Sequence, residues 1–217
     1  MERIIREISA NILSGDQRST KENVQIALDM NIDPATILRE GMVQAMAEVG
    51  ELFEKGEYYV PEMMISARSM QAGMAILRPY LVQADVKPSG KVVIGTVKGD
   101  LHDIGKNLVS MMLEGAGFEI LDLGADVPAE KFVDALRNST ANLVALSALL
   151  TTTMPSMRIV IDAIKSAGLR ERAKIIIGGA PTTETYAQQI GADGYAPDAS
   201  RAVSLAKSLM ARATPFI

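Results

Sequence analysis

The chain's single histidine, His102, lies between two carboxylates, with Asp100 two residues before it and Asp103 directly after it. An apolar run at 92–97 precedes this segment, and glycines bound it at 99–105. An imidazole in such a loop can present one ring nitrogen to a metal while a carboxylate holds the other nitrogen. Taken alone, Asp-x-His is more typical of a surface or helix-capping histidine. The rest of the chain separates the two interpretations.

The loop around His102 does not match the common phosphate-binding motifs. A P-loop has four residues between its glycines and then Lys and Ser or Thr. Here five residues separate Gly99 from Gly105, and Lys106-Asn107 follows. The dinucleotide fingerprint Gly-x-Gly-x-x-Gly is also absent from the sequence. These differences disfavour a nucleotide or phosphoacceptor module.

Three more groups of small or polar residues follow later apolar runs. They are Ser147 through Thr153, Gly178-Gly179-Ala180-Pro181, and Tyr195-Ala196-Pro197. A Gly-Gly pair alone is more typical of a turn than of a site. In open parallel sheets, however, ligands bind outside the carboxyl ends of the strands. If the runs form parallel strands, these groups and the loop 99–105 share one ligand-binding edge.

Residues 1–85 carry helical periodicity. Asp33 before Pro34 predicts a helix start, Gly56 predicts a helix end, and Val60-Pro61 predicts another start. Apolar residues recur at spacings of three and four between these signals, which predicts four amphipathic helices in a bundle. The predicted inward residues include Ile4, Ile5, Ile8, Ile12, Val24, Ala27, Leu28, Leu38, Met42, Met46, Val49, Phe53, Met63, Met70, Met74 and Leu77.

Residues 91–217 follow a polar segment at 86–90 that contains Pro88 and is the predicted linker. Short β-branched runs alternate there with helical stretches, which indicates a parallel sheet built from βαβ units. The fold class is therefore α/β: an amino-terminal four-helix bundle followed by a five-stranded, flavodoxin-like domain. The predicted strands lie at 91–97, 118–122, 143–146, 174–177 and near 194–195.

Composition excludes several classes of protein. A formal net charge of −4 disfavours a nucleic-acid surface, and the lack of cysteine excludes disulfides, Fe–S clusters and thiolate zinc sites within the chain. No signal peptide or apolar run of membrane-spanning length is present, so a cytoplasmic protein with no membrane partner is expected. The 13 methionines either fill a helical core or form a surface that adapts to several partners.

In chain order, these groups resemble the signature of one family. The cobalamin-binding module of methyltransferases and mutases carries Asp-x-His-x-x-Gly, Ser-x-Leu and Gly-Gly. The matching residues here are Asp100, His102, Gly105, Ser147, Leu149, Gly178 and Gly179. The segment 56–63 is also similar to the helical cap of that module. A cap plus binding domain of this length resembles the corrinoid proteins of anaerobic methyltransferase systems, related to the module of methionine synthase.

The resemblance implies roles for individual residues. His102 would be the lower axial ligand of cobalt, replacing the cofactor's own base (base-off, His-on). Asp100 would hold the other ring nitrogen, and Thr153 would extend this proton relay, although the family has serine there. The cofactor-binding set would be Asp100, Leu101, His102, Asp103, Ile104, Gly105, Ser147, Leu149, Thr151, Gly178, Gly179, Tyr195 and Ala196. The three glycines would let the backbone approach the nucleotide tail of the cofactor.

The resemblance also implies a function in one-carbon metabolism, in methanogenesis or acetogenesis. The chain would be a non-catalytic subunit that carries a methyl group through the Co(I) and methyl-Co(III) states of cobalamin. Its partners would be a substrate-specific methyltransferase, a second methyltransferase acting on coenzyme M or tetrahydrofolate, and a reductive activase. The helical bundle would shield the methyl group, and the linker around Pro88 would act as a hinge.

Two other functions fit the same module. A cobalamin-based sensor would usually add a DNA-binding domain, and no helix-turn-helix with a basic recognition helix is apparent. The small subunit of a carbon-skeleton mutase would bind adenosylcobalamin and would not need the helical half. The methyl donor is open among methylamines, methanol, betaines and methoxylated aromatics, with a slight preference for the methylamine or betaine type.

Overall fold

A computed structural model describes residues 2–213 of the chain. Met1 and residues 214–217, which belong to the predicted cap and binding domain, lie outside the described residues. The chain divides into two compact units: one runs to Pro88 and includes Glu114–Gly117, and the other comprises Ser89–Leu113 and the chain from Phe118 onward. The division at Pro88 lies inside the predicted linker 86–90, whose role as a hinge stays a prediction.

The amino-terminal unit is helical. A π-helical segment, Ile37–Val43, joins the helix Pro34–Thr36 to the helix Gln44–Glu54, so the three segments form one continuous helical stretch. The elements are α1 (Glu2–Leu13), α2 (Gln17–Asp29), α3 (Pro34–Thr36), the π-helical segment, α4 (Gln44–Glu54) and α5 (Val60–Gln83).

Capping residues fix where these helices begin. The side chain of Asp33 accepts a hydrogen bond from the backbone N–H of Thr36, as the Asp-Pro signal predicted. α2 begins earlier than the periodicity predicted, at Gln17 instead of near Thr20. The reason is Asp16, whose carboxylate accepts the N–H of Ser19 and caps the helix there.

The core of the helical unit consists mainly of the predicted apolar stripes, but the predicted inward residues Leu28, Leu38 and Phe53 are only partly buried. Ile37 and Gly41 are buried, whereas Leu38 is only partly buried, because the π-helical segment shifts the inward positions of the helix. Within residues 2–88, five methionines are core residues: Met42, Met46, Met63, Met70 and Met74. Met30 is exposed. Burial of these five agrees with methionine as a filler of the helical core.

The second unit contains a five-stranded parallel sheet in the order β2-β1-β3-β4-β5. This order confirms the predicted flavodoxin-like winding and the α/β fold class. Val97 lies beyond the first strand and forms an isolated bridge with Val127, so the first strand is one residue shorter than predicted. The strands are β1 (Lys91–Thr96), β2 (Glu119–Asp122), β3 (Leu143–Ser147), β4 (Lys174–Gly178) and β5 (Gly194–Ala196).

Helices follow the strands of this unit. The three central strands are almost wholly buried, whereas β2 at one edge is partly exposed. This burial agrees with the continuous β-branched runs of β1, β3 and β4. The helices are α6 (Ile104–Gly115), α7 (Ala129–Arg137), α8 (Pro155–Ser166), α9 (Glu184–Ile190) and α10 (Ala199–Ala213). Within residues 2–213, no helix is both long enough and apolar enough to cross a membrane.

Candidate functional site

The register of the sheet brings the four predicted groups to one edge. Thr96 pairs with Ser147, Ser147 with Gly178, and Gly178 with Ala196, so the ends of β1, β3, β4 and β5 form one row. Ser147 and Gly178 are the last residues of their strands. Tyr195 and Ala196 both lie within β5, which extends one residue beyond the predicted strand because Ala196 pairs with Gly178.

Asp100 is the most constrained polar residue at this edge. Its side chain has no exposed surface. Oδ1 accepts the backbone N–H of His102 at 3.0 Å and the ring Nδ1–H of His102 at 2.8 Å. Oδ2 accepts the N–H of Leu149 at 2.7 Å, the N–H of Leu150 at 3.2 Å and the hydroxyl of Thr153 at 2.6 Å. Donors from two different loops therefore meet on one carboxylate.

These hydrogen bonds decide the charge of Asp100. Burial is the largest single influence and by itself raises the pKa of the carboxyl group. The Thr153 hydroxyl, the backbone N–H groups of His102 and Leu149, and the His102 ring all lower it. Together they outweigh burial and hold the pKa of Asp100 well below its ordinary value. Asp100 is therefore a carboxylate, which only accepts hydrogen bonds, at neutral pH.

The charge of Asp100 fixes the orientation of the His102 ring. Because the carboxylate accepts, Nδ1 carries the proton of that hydrogen bond, and in the neutral imidazole Nε2 keeps its lone pair. The His102 side chain is 51% exposed, and Nε2 makes no hydrogen bond within residues 2–213. An imidazole held at Nδ1 with Nε2 available is the arrangement found in histidine ligands of metals.

Exposed apolar side chains lie on both sides of His102 in the sequence and in the loop after β3. Leu101 is 74% exposed and Ile104 is 75% exposed, and Leu149 and Leu150 are each 42% exposed. Exposed leucine and isoleucine side chains in two neighbouring loops are typical of a surface that binds an apolar ligand. Of the other predicted residues, Thr151 is exposed and Asp103 is partly buried.

The predicted glycines have different surroundings. A Cβ at Gly105 would meet nothing within 4 Å, so the space beside it is open. Gly179 has a φ of +123°, and a Cβ there would lie 1.9 Å from the carbonyl oxygen of Ala148. A Cβ at Gly178 would lie 3.1 Å from the carbonyl oxygen of Ala196. Contacts within the chain therefore explain why residue 179 is a glycine, whereas Gly105 leaves room for a ligand.

Three residues of this edge were missed by sequence reasoning. Lys106 is almost wholly buried and forms an ion pair with Asp122 at the end of β2. Asp126, in the loop after β2, accepts the N–H of Gly99 at 2.8 Å. The predicted groups follow the other four strands, whereas Asp122 and Asp126 lie at and after the end of β2. The missed signal was the pair of aspartates at and after the end of β2.

The protein supplies few donors for a metal ion. Within the described residues, no group of three or more His, Cys, Asp or Glu side chains could hold one. A single imidazole, open space beside Gly105 and exposed apolar side chains fit a metal whose other ligands come from a large apolar macrocycle. The residues present therefore fit a corrin ring with one protein ligand.

Comparisons with known proteins agree with this chemistry. Residues 90–204 match a family model described as a B12 binding domain, and residues 4–78 match a second model with the same description. Dimethylamine corrinoid protein 2 of Methanosarcina acetivorans is 44% identical over 210 residues, which cover 96% of this chain and 97% of the relative. The chain belongs to the family of B12-binding corrinoid proteins. This confirms the predicted family and the cobalamin cofactor.

Two solved structures support the fold of this corrinoid protein. One, described as a novel cobalamin-binding protein from Desulfitobacterium hafniense, has a TM-score of 0.77 at 34% identity and covers 94% of this chain and 97% of that chain. The other is the methanol:cobalamin methyltransferase complex MtaBC from Methanosarcina barkeri, with a TM-score of 0.87 at 28% identity. That match covers 98% of this chain and 81% of that chain.

The two glycine environments predict opposite outcomes for one substitution. We expect Gly179→Ala to destabilise the cofactor-free corrinoid protein by about 3 kcal/mol or more, because Cβ would overlap a backbone carbonyl at a positive φ. Gly105→Ala serves as the matched control and should leave stability unchanged or raise it by up to about 1 kcal/mol, since alanine favours the helix. Thermal unfolding measures both. Equal losses in the two variants would contradict the contacts described for Gly179.

The lowered pKa of Asp100 predicts a pH dependence of stability. A carboxylate whose pKa is lower in the folded than in the unfolded chain stabilises the fold above its ordinary pKa. This contribution is lost as the pH falls below about 4. Asp100→Asn should therefore lower the unfolding free energy by about 2–4 kcal/mol near neutral pH, and the difference from wild type should shrink on acidification. Urea denaturation at a series of pH values tests this, and a pH-independent difference would contradict it.

Proposed function

We propose that this corrinoid protein carries a methyl group between two methyltransferases. The observation that supports the proposal is the His102 imidazole, held at Nδ1 by a buried carboxylate while Nε2 makes no hydrogen bond within the described residues. Nε2 of His102 would bind the cobalt of the cofactor, in place of the base of the cofactor itself. Metal ligation by histidine is commonly arranged in this way.

When bound, the cofactor would supply a cobalt ion that accepts and releases a methyl group through its Co(I) and methyl-Co(III) states. The protein's part is to hold the ring and its proton. Asp100 keeps the proton of His102 on Nδ1, so that Nε2 remains a donor. Thr153, Leu149 and Leu150 fix the carboxylate through hydrogen bonds that do not involve His102. The orientation of the ring is therefore set whether or not Nε2 is bound to the metal.

Other residues at the carboxyl edge bind the rest of the cofactor. Ser147 at the end of β3 and Gly178 at the end of β4 are neighbours in the register, as are Gly178 and Ala196. We assign this row, with Tyr195 and Gly179, to the nucleotide tail. The exposed apolar residues Leu101, Ile104 and Leu149 are assigned to contacts with the ring, together with Asp103 and Thr151 at its margin.

The carrier function requires protein partners. One is a substrate-specific methyltransferase, because this chain is similar to a chain of the solved methanol:cobalamin methyltransferase complex MtaBC. Because relatives about two-fifths identical are named dimethylamine corrinoid proteins, a dimethylamine methyltransferase is the first partner to test. The others are a methyltransferase acting on coenzyme M or tetrahydrofolate and an activase that reduces oxidised cobalt.

Removing the imidazole tests the assignment of the axial ligand. Protein reconstituted with cobalamin should show the spectrum of a histidine-ligated, base-off corrinoid. His102→Ala should lose that spectrum and retain cobalamin at least about tenfold more weakly, because it removes the one protein ligand of the metal. Gln188→Ala, an exposed polar residue on α9, is the control and should behave as wild type. An unchanged spectrum in His102→Ala would refute the assignment.

Thr153 provides a test of the relay that preserves the packing. Thr153→Val removes the hydroxyl donor to Asp100 but keeps the shape of the side chain, whereas Thr153→Ser keeps the donor. We expect the methyl-transfer rate per bound cobalamin to fall by about tenfold in Thr153→Val, which corresponds to one hydrogen bond to a charged group, and to stay near wild type in Thr153→Ser. Transfer between the two partner enzymes is the measurement. Equal rates in both variants would show that the hydroxyl has no role in transfer.

A further inference from the structure

The loop after β2 contacts the backbone on which Asp100 and His102 depend. Oδ1 of Asp126 accepts the N–H of Gly99 at 2.8 Å, and the N–H of Asp126 donates to the carbonyl oxygen of Asp100 at 2.9 Å. Oδ2 of Asp126 accepts from Nζ of Lys98 at 3.0 Å. One residue therefore holds the Gly99-Asp100 backbone through both a donor and an acceptor.

The backbone conformation is unusual at both Asp126 and Gly99. Asp126 has a φ of +54° and Gly99 a φ of +89°. Aspartate adopts the left-handed region more readily than most residues, but it still prefers other conformations. Such a conformation persists where surrounding contacts determine it. The paired hydrogen bonds between these two loops provide those contacts.

A second contact anchors the same loop on the other flank of His102. Lys106, in the first turns of α6, is 2% exposed, and its Nζ donates to the carboxylate of Asp122 and, at 2.6 Å, to Oδ1 of Asn107. Oδ1 of Asp122 accepts the N–H of Gly124 at 2.8 Å, which ties the ion pair into the loop after β2. The segment 99–106 is thus held at both of its ends by residues 122–126.

The sheet order explains why two loops share this task. β1 lies between β2 and β3, so the loop after β1 has a neighbouring loop on each side. The loop after β3 holds the side chain of Asp100 through Leu149, Leu150 and Thr153. The loop after β2 holds the backbone of the same residue through Asp126. One set of contacts holds the carboxylate, and the other holds the backbone that carries it.

We propose that Asp126 is a positioning residue for the axial ligand: by holding the Gly99-Asp100 backbone, it sets the carboxylate against Nδ1 of His102. The role in ligation rests on the function proposed above, whereas the positioning itself is a property of the cofactor-free protein. This contact would keep Nε2 placed for the metal even when no metal is bound. The contact with Gly99 carries this effect, and the exposed ion pair with Lys98 contributes little.

Three variants of the full chain separate these contacts. Asp126→Gly removes the side chain but suits the positive φ, so the backbone gains no strain. Asp126→Asn keeps an oxygen that accepts the Gly99 N–H and also tolerates this φ. Lys98→Met removes only the ion pair. Asp85→Gly is the matched control, because Asp85 has a φ of +51° and pairs with a lysine, Lys87, outside this loop.

The first readout uses cofactor-free protein. Because His102 is the only histidine, ¹⁵N-histidine labelling gives the ring signals of this residue alone. Asp126→Gly should shift the ring toward the Nε2-protonated form and speed amide exchange at Gly99 by about tenfold, which corresponds to one lost hydrogen bond. Asp126→Asn, Lys98→Met and Asp85→Gly should resemble wild type. An unchanged ring spectrum and exchange rate in Asp126→Gly would overturn the proposal, as would equal effects in Lys98→Met.

The second readout uses protein loaded with cobalamin. Electron paramagnetic resonance of the Co(II) form measures the fraction of cobalt that is ligated by histidine nitrogen. Asp126→Gly should lower this fraction, and Asp85→Gly should leave it unchanged. Equal ligation in both variants would overturn the role in ligation. If wild type itself binds no cobalamin, the proposed function fails, and the cofactor-free measurements still decide whether Asp126 positions the ring.

Discussion

The buried carboxylate of Asp100 is the constraint on which the candidate site depends. A buried carboxylate is stable only when hydrogen-bond donors replace the water that it has lost. Donors from His102 and from the loop after β3 provide that replacement, and they lower the pKa of Asp100 despite its burial. The same bonds that keep the group charged also fix its direction. The hydrogen bonds that stabilise the buried carboxylate therefore also set the orientation of the His102 imidazole.

Topology makes this arrangement possible. In the order β2-β1-β3-β4-β5, the chain reverses direction across the sheet between β1 and β3, and the loops after these two strands are neighbours. His102 lies in the loop after β1, at this switch point. The register places the glycines after β4 and the end of β5 along the same edge. A long cofactor that lies across several strand ends fits such a row better than a compact ion does.

The sequence predicted the fold well because apolar periodicity and capping signals are local. Asp33 began a helix where it was expected, and the five strands lie within a residue or two of their predicted runs. The π-helical segment Ile37–Val43 was not predicted, since its apolar spacing resembles that of an α-helix. Contacts that depend on loop conformation were also beyond the sequence. Three contacts arise between loops that follow different strands: the hydrogen bond from the N–H of Leu149, the Gly99–Asp126 hydrogen bond and the approach of Gly179 to a carbonyl oxygen.

In the proposed function, Nε2 of His102 binds the cobalt of the cofactor. Electron paramagnetic resonance of the Co(II) form tests it directly, because the nuclear spin of an axial nitrogen splits the signal. With natural nitrogen the lines should be triplets, and ¹⁵N-labelling of the single histidine should convert them to doublets. Triplets that persist after labelling would show that another nitrogen, such as the base of the cofactor itself, occupies the axial position, and would contradict ligation by His102.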